Sequence, residues 1–233
     1  AEALPMGLVS CEEALAVMDA DWITGVRTAA LSALAAQSLA RPDSASIALI
    51  GTGVQGQCHL QLFSELFPLR EARLLGRGRP NLDRLAAQAR ALGLSVTETQ
   101  DPREATEGAD IVVTSVTPTP ELPRFMDPAW LAPGAFTTMV ELARAWQVER
   151  LEGRARVFVD DREQEAQMED PLLPYDLIEG DLADLATGAL PGRRDAQEVA
   201  AFAFRGLALG DLALGALCYE RALEAGVGTR LPR

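Results

Sequence analysis

The stretch Ser46-Ile47-Ala48-Leu49-Ile50-Gly51-Thr52-Gly53-Val54-Gln55-Gly56 decides the fold. Its first half is a β-rich apolar run, and its second half is G-x-G-x-x-G. From Val54 to Phe67 apolar residues recur at helical spacing, at Val54, Cys58, Leu60, Leu62, Phe63 and Leu66. A glycine-rich turn between a strand and a helix has a physical use. Gly51 permits the tight turn, Gly53 lets the backbone approach a pyrophosphate, and the helix amides face the phosphate oxygens. The stretch therefore predicts a dinucleotide site on Gly51, Thr52, Gly53, Val54 and Gln55. The other reading is a glycine turn with no ligand.

Outward from this stretch, five more runs read as strands: Ala72–Gly76, Leu94–Thr97, Asp110–Thr114, Ala135–Val140 and Arg156–Asp160. Helices are expected over Asn81–Leu92 and over Pro102–Gly108, the latter with Asp101 as its N-cap. Six strands with mostly helical connections predict an α/β fold, a Rossmann-type doubly wound parallel sheet over residues 46–166. The flanks, 1–45 and 167–233, are expected to form part of a second domain for substrate or dimerisation. Thr24–Ala40 is an Ala/Leu helix that Arg41-Pro42-Asp43 ends sharply. Glu198–Gly226 reads as one long apolar helix with Gly226 as its C-cap.

The second strand speaks to the cofactor. An NAD site places an acid near its end to hold the ribose 2′-hydroxyl. Here the strand ends Leu75-Gly76-Arg77-Gly78-Arg79. A carboxylate would repel a 2′-phosphate, whereas arginine pairs with it bidentately. NADP(H) is thus expected in preference to NAD(H); the other reading makes both arginines solvated loop residues.

Composition narrows the classes. Among 233 residues, 34 are Asp or Glu and 21 are basic, a net charge of −13 that disfavours nucleic acid and anionic membrane surfaces as partners. No apolar run approaches the roughly 20 residues of a membrane span, and no charged n-region with an apolar h-region opens this sequence; the scattered cysteines fit a reducing compartment, so a cytoplasmic protein is expected. Cys11, Cys58 and Cys218 are scattered without a CxxC, which argues against disulfides and a zinc cluster. Cys218, in an apolar helix, reads as a small core residue. All 21 basic residues are arginine, because the chain has no lysine. That excludes a Schiff base, a P-loop and a lysine acid. The lone histidine, His59, reads as packing or partly exposed rather than catalytic. Asp160-Asp161 lack histidine or further acids nearby, so no metal site is expected there.

Several motifs together carry a resemblance. Thr24-Gly-Val-Arg27-Thr28-Ala29-Ala30, Leu39-Ala-Arg-Pro-Asp-Ser44 and Ile50-Gly-Thr-Gly-Val-Gln55 come first. Then follow Ala109-Asp-Ile-Val-Val-Thr-Ser-Val-Thr117, Val157-Phe-Val-Asp-Asp161, Gly188-Ala-Leu-Pro-Gly-Arg193 and Gly206-Leu-Ala-Leu-Gly-Asp211. From about Met18 to the C-terminus the chain resembles the ornithine cyclodeaminase/mu-crystallin family. The resemblance implies hydride chemistry at the carbon between a nitrogen and a carboxylate, on a small amino or cyclic imino acid, in a homodimer. It implies that Arg27 holds the substrate carboxylate, a role the sequence also supports by placing Arg27 in the first turn of its helix. Thr28 would lie beside the cofactor, Thr52–Gln55 around the pyrophosphate and Arg77 at the 2′-phosphate. Thr114, Ser115, Val116 and Thr117 would border the nicotinamide ribose.

Two departures qualify what the resemblance implies. Family members begin with a further substrate-domain stretch that carries a lysine, so the 233-residue chain by itself is expected to turn over slowly. The cyclodeaminases also place an acidic proton acceptor in a glycine-containing loop after the fifth strand. Here the text is Val140-Glu141-Leu142-Ala143-Arg144, with the acid's register nearer Ala143. Glu141 takes the catalytic role if the loop is reorganised; otherwise it is a surface or salt-bridged residue. This favours imine reduction over ornithine cyclisation. The rival from another class is a nucleotide-binding protein without turnover.

Overall fold

The computed structural model describes residues 5–9 and 14–229. An antiparallel hairpin, β1 (Pro5–Val9) and β2 (Ala14–Asp19), leads into helix α1 (Ala20–Leu39). The deciding stretch follows as β3 (Ser46–Ile50) and α2 (Val54–Leu66). Next come β4 (Glu71–Leu75), α3 (Arg79–Ala91), β5 (Ser95–Glu98), α4 (Pro102–Thr106) and β6 (Ile111–Thr114). The remainder holds β7 (Phe136–Met139), β8 (Arg156–Val159), α5 (Arg162–Ala166) and β9 (Ile178–Asp181). The last elements are α6 (Leu182–Thr187), β10 (Ala200–Ala203) and α7 (Ala208–Ala225). Two compact units result: one from Ala29 to Arg205, the other joining residues up to Thr28 with those from Gly206 onward.

The larger unit is an α/β fold on eight parallel strands in the order β5-β4-β3-β6-β7-β10-β8-β9. All six strands expected from sequence are present. Their side chains alternate between two cores, as a strand's period of two requires. Ile47 and Leu49 pack on one face with Leu60 and Phe63 of α2 and Leu85 of α3. Ala48 and Ile50 pack on the other with Met126, Leu131 and Trp146. Each large side chain so buried contributes about 1.5–3 kcal/mol.

The sheet continues past residue 166, which corrects the reading of the C-terminal part. The expected helix Glu198–Gly226 is broken: Ala200–Ala203 forms β10, paired in parallel with both β7 and β8, and α7 begins only at Ala208. Ala-Ala-Phe-Ala has no β-branched residue, so local propensity points to helix. Strands on both sides override it, supplying both hydrogen-bond ladders and leaving room for small side chains. Strand β9, Ile-Glu-Gly-Asp, carries too little apolar pattern to read, and the β1–β2 hairpin was likewise not expected. Gly226 caps α7 in the left-handed conformation (φ 63°), as read.

Two of the family-like motifs brace this unit away from the glycine turn. At the amino edge of the sheet, Asp110 accepts from the Ala45 and Ser46 amides and the Ser46 hydroxyl, at 2.8, 3.0 and 2.9 Å. Arg41 Nη2 reaches the same carboxylate at 2.5 Å, tying the starts of β3 and β6 together. Arg193 donates to the Leu39 carbonyl at 2.8 Å through Nε, and its amide to the Ser38 carbonyl at 2.8 Å, closing the C-terminus of α1.

Candidate functional site

The carboxyl edge of the parallel sheet is where open α/β folds take their ligands. There the Gly51 amide donates to the Leu75 carbonyl at 2.9 Å, and the Ser115 amide to the Ile50 carbonyl at 2.8 Å. Gly51 takes φ +113°, and a Cβ on it would lie 2.6 Å from the Ser115 backbone, so only glycine fits. Gly53 differs: a Cβ there would meet nothing within 4 Å. It is the N-cap of α2 and gives the helix no side-chain cap. The Val54 and Gly56 amides, in the first turn, have no intrahelical acceptor. An open space before uncapped amides fits a pyrophosphate, which needs close backbone approach and N–H donors.

The second arginine pair divides. Arg77 is exposed just past β4, with no ion pair among the described residues. Arg79 opens α3 and is engaged by Asp83 at 2.5 Å and Glu98 at 2.8 Å. Thr114, the last residue of β6, is buried, and in the loop that follows Ser115 and Val116 are half-buried and Thr117 is exposed. The structure thus brings Gly51–Gln55, Arg77 and Thr114–Thr117 to one edge of one unit. Arg27 and Thr28 belong to the other unit.

Glu141 follows β7 at this edge. It is 3% exposed, and neither carboxyl oxygen has a hydrogen-bond partner. Burial pushes its carboxyl up to about 7. The Thr114 hydroxyl and the backbone of residues 141 and 145 pull the other way without reaching it in hydrogen-bond geometry. This removes the surface or salt-bridged alternative. Leu142 and Ala143 then take φ 63° and 55°, a left-handed pair without glycine, which costs about 1–3 kcal/mol per residue. The turn keeps the conformation that glycine would relax and aims Glu141 inward. The Trp146 indole N–H, fully buried, donates to Thr114 Oγ1 at 2.9 Å and braces the same corner. Past the turn, an open cavity of about 550 Å³ is lined by Pro118, Thr119, Leu122, Arg124, Leu142 and Arg144 among others.

In the smaller unit, α1 begins at Ala20, so Arg27 stands two turns inside the helix. The expectation of a first-turn position is wrong, because the acidic start Asp19-Ala20-Asp21 extends the helix backward, with Asp19 Oδ1 accepting from the Asp21 amide at 2.9 Å. What holds Arg27 is Asp211, whose Oδ1 lies 3.0 Å from Nε. Asp211 closes the family-like motif Gly206–Asp211, and its place in the first turn of α7 is the sequence signal for this role. Thr28 is buried on the same helix.

The remaining candidates take structural places. His59 is fully buried. Asp161 caps α5 through the Gln164 amide at 2.8 Å, and Asp160 accepts from the Arg205 amide at 3.2 Å. Cys58 and Cys218 are free thiols, and Cys218 is half-buried rather than a core residue. Cys11 lies outside the described residues.

The model of the ornithine cyclodeaminase/mu-crystallin family matches residues 8–226. Ketimine reductase mu-crystallin of Mus musculus is 33% identical over 210 residues, which cover 88% of this chain and 64% of that protein. The chain therefore spans about two thirds of the length of such relatives. The Delta(1)-pyrroline-2-carboxylate reductase of Thermococcus litoralis, solved in complex with NADH and L-proline, is 28% identical with a TM-score of 0.84. That match covers 95% of this chain and 71% of that one. An archaeal alanine dehydrogenase dimer with bound NAD is 26% identical with a TM-score of 0.84, over 98% of this chain and 73% of that one. With a family model matched over nearly its whole length, this chain belongs to the ornithine cyclodeaminase/mu-crystallin family.

Proposed function

We propose that the protein is an oxidoreductase that moves a hydride at the carbon between nitrogen and carboxylate of a small amino or cyclic imino acid, preferring NADP(H) to NAD(H). The observation that carries the reading is the open, uncapped start of α2 at Gly53, in a chain whose relatives include reductases and dehydrogenases of such acids. When bound, the nicotinamide supplies or accepts the hydride. The Val54 and Gly56 amides, with Thr52 and Gln55 around them, hold the pyrophosphate. Thr114–Thr117 border the nicotinamide ribose. Arg77, exposed and without an ion pair among the described residues, receives the 2′-phosphate, while Arg79 is already neutralised by Asp83 and Glu98.

Arg27 orients the substrate carboxylate, which supplies proximity rather than chemistry. A C=N carbon that gains a hydride leaves its nitrogen to take a proton. Glu141, protonated about half the time near neutral pH, holds that proton at a carboxyl oxygen. The reading extends to a cytoplasmic homodimer. A nucleotide-binding protein without turnover is the second reading, favoured by the internal carboxylate that already occupies Arg27.

Titration with NADPH and NADH, followed by steady-state assays on a panel of cyclic imino acids, separates these readings. Tighter NADPH binding with turnover supports the first. Binding without turnover supports the second, and binding of neither cofactor overturns both.

A further inference from the structure

We infer that His59 is a positioning residue for the phosphate-facing amide of Gly56, acting through a buried hydrogen-bond wire that begins at Thr138 of the central sheet. The inference rests on the dinucleotide reading of the glycine turn.

His59 Nδ1 lies 2.7 Å from the Gln55 carbonyl oxygen, and Nε2 lies 2.9 Å from Ser32 Oγ. Ser32 Oγ is in turn 2.8 Å from Thr138 Oγ1. His59, Ser32 and Thr138 are all fully buried. These contacts leave one assignment of protons. A carbonyl only accepts, so Nδ1 carries the hydrogen and donates to Gln55. In a neutral ring Nε2 must then accept, so the Ser32 hydroxyl donates to it. Ser32 is left to accept from the Thr138 hydroxyl. Complete burial disfavours the charged imidazolium and lowers the His59 pKa to about 4, which keeps the ring neutral and the direction fixed. The Phe63 ring stacks on His59 with centroids 6.0 Å apart, holding the imidazole plane.

The end of the wire is what gives it a use. The Gln55 carbonyl and the Gly56 N–H belong to one planar peptide unit. That N–H is in the first turn of α2, without an intrahelical acceptor. Gly56 is wedged against the glycine turn on its other side, since a Cβ there would lie 2.5 Å from the Gly51 carbonyl oxygen. The peptide unit is therefore clamped between Gly51 and His59. Three donors aligned head to tail also polarise one another and the carbonyl they end on. A more polarised carbonyl makes its own N–H a better donor. Thr138, Ser32 and His59 thus tie β7 and α1 to the strength and aim of one phosphate-facing amide.

A role in packing alone would alter stability without altering ligand affinity or the Gly56 amide. The test compares His59→Phe, His59→Asn and His59→Gln with the unchanged chain. Asparagine can place its amide nitrogen where Nδ1 stands, while glutamine reaches only the Nε2 position. Dissociation constants for NADPH and NADH are measured well below each variant's melting temperature. Loss of the bond to Gln55 is expected to weaken both cofactors about 3- to 10-fold in the Phe and Gln variants, and asparagine is expected to restore most of it. Thr138→Val, which severs the far end with little change of volume, provides a variant outside the helix. In its ¹H–¹⁵N spectrum the Gly56 amide should move upfield while that of Gly93 stays in place. Equal affinities across the His59 series, or an unmoved Gly56 amide in Thr138→Val, would overturn the inference alone. Failure of the unchanged chain to bind either cofactor would overturn the dinucleotide reading and the inference with it.

Discussion

Arg27 Nε lies 3.0 Å from Asp211 Oδ1, with the two side chains 20% and 34% exposed. The guanidinium also lies over Gly206, where a Cβ would come within 2.5 Å of Nη1. Asp211 sits in the first turn of α7, where the helix favours an acid. The pair places a fork-shaped cation with little freedom, as a carboxylate anchor requires. Arg27→Ala should therefore lower kcat/KM by roughly 1.5–3 kcal/mol, mainly through KM. Asp211→Asn, which keeps an acceptor, should cost less. Steady-state kinetics on one imino acid decides it, and an unchanged KM in Arg27→Ala rules the anchor out.

Gly53→Val is expected to abolish binding of both cofactors while the sheet stays folded. The residue has φ −75°, which valine tolerates, and the space around its Cβ is open. That same space is what a pyrophosphate needs. Gly51→Ala is the contrasting control: it forces a side chain into φ +113° and the Ser115 backbone, and should destabilise the fold by about 1–3 kcal/mol. Circular dichroism with cofactor titration reads both. A folded Gly53→Val that binds normally would show that the phosphates lie elsewhere.

Arg77→Ala should weaken NADPH by about 1.5–3 kcal/mol and leave NADH nearly unchanged. Arg79→Ala should change neither, because its guanidinium is spent on Asp83 and Glu98. Equal losses of NADPH and NADH in Arg77→Ala would mean that Arg77 does not read the 2′-phosphate.

The legible part of this molecule is the part whose signal is local. Ser46–Gly56 declares a strand, a turn and a helix within eleven positions, and each appears where its pattern puts it. Ala200–Ala203 is the opposite case. Its strand character is supplied by β7 and β8, more than forty residues away in sequence, so alanine's own preference misleads. The motifs carrying the family resemblance proved mixed in use, since Arg41 and Arg193 brace the frame rather than the candidate site. The wire on His59 was hidden for a related reason. Ser32 and Thr138 are ordinary hydroxyls until the fold brings residues 106 positions apart into contact.

Glu141 and His59 should shape stability against pH in opposite senses. Burial raises the Glu141 carboxyl from an ordinary 4.5 to about 7, so ionisation costs the folded state more than the unfolded one. Its contribution is complete below pH 4.5 and is lost as the pH rises through 7. The total is on the order of 2–4 kcal/mol between those limits. His59 is lowered from 6.5 to about 4, so its contribution is present above 6.5 and lost as the pH falls through 4. The two slopes oppose each other between about pH 4.5 and 6.5, so their sum leaves only a shallow maximum near pH 5.5. Glu141→Gln, which keeps the shape and cannot ionise, should remove the falling slope and leave that of His59 alone, so that stability rises from about pH 4 to 6.5 and is level above. If Glu141 also holds the proton for the substrate nitrogen, kcat in imine reduction should fall above pH 7 in the unchanged chain. In Glu141→Gln it should be low at every pH. Urea unfolding at pH 5.5, 7.0 and 8.5 reads the first effect and a pH–rate profile the second. An alkaline stability slope that survives in Glu141→Gln would assign the titration to another group. A full rate in that variant would leave Glu141 as a buried structural acid, with the proton delivered by water.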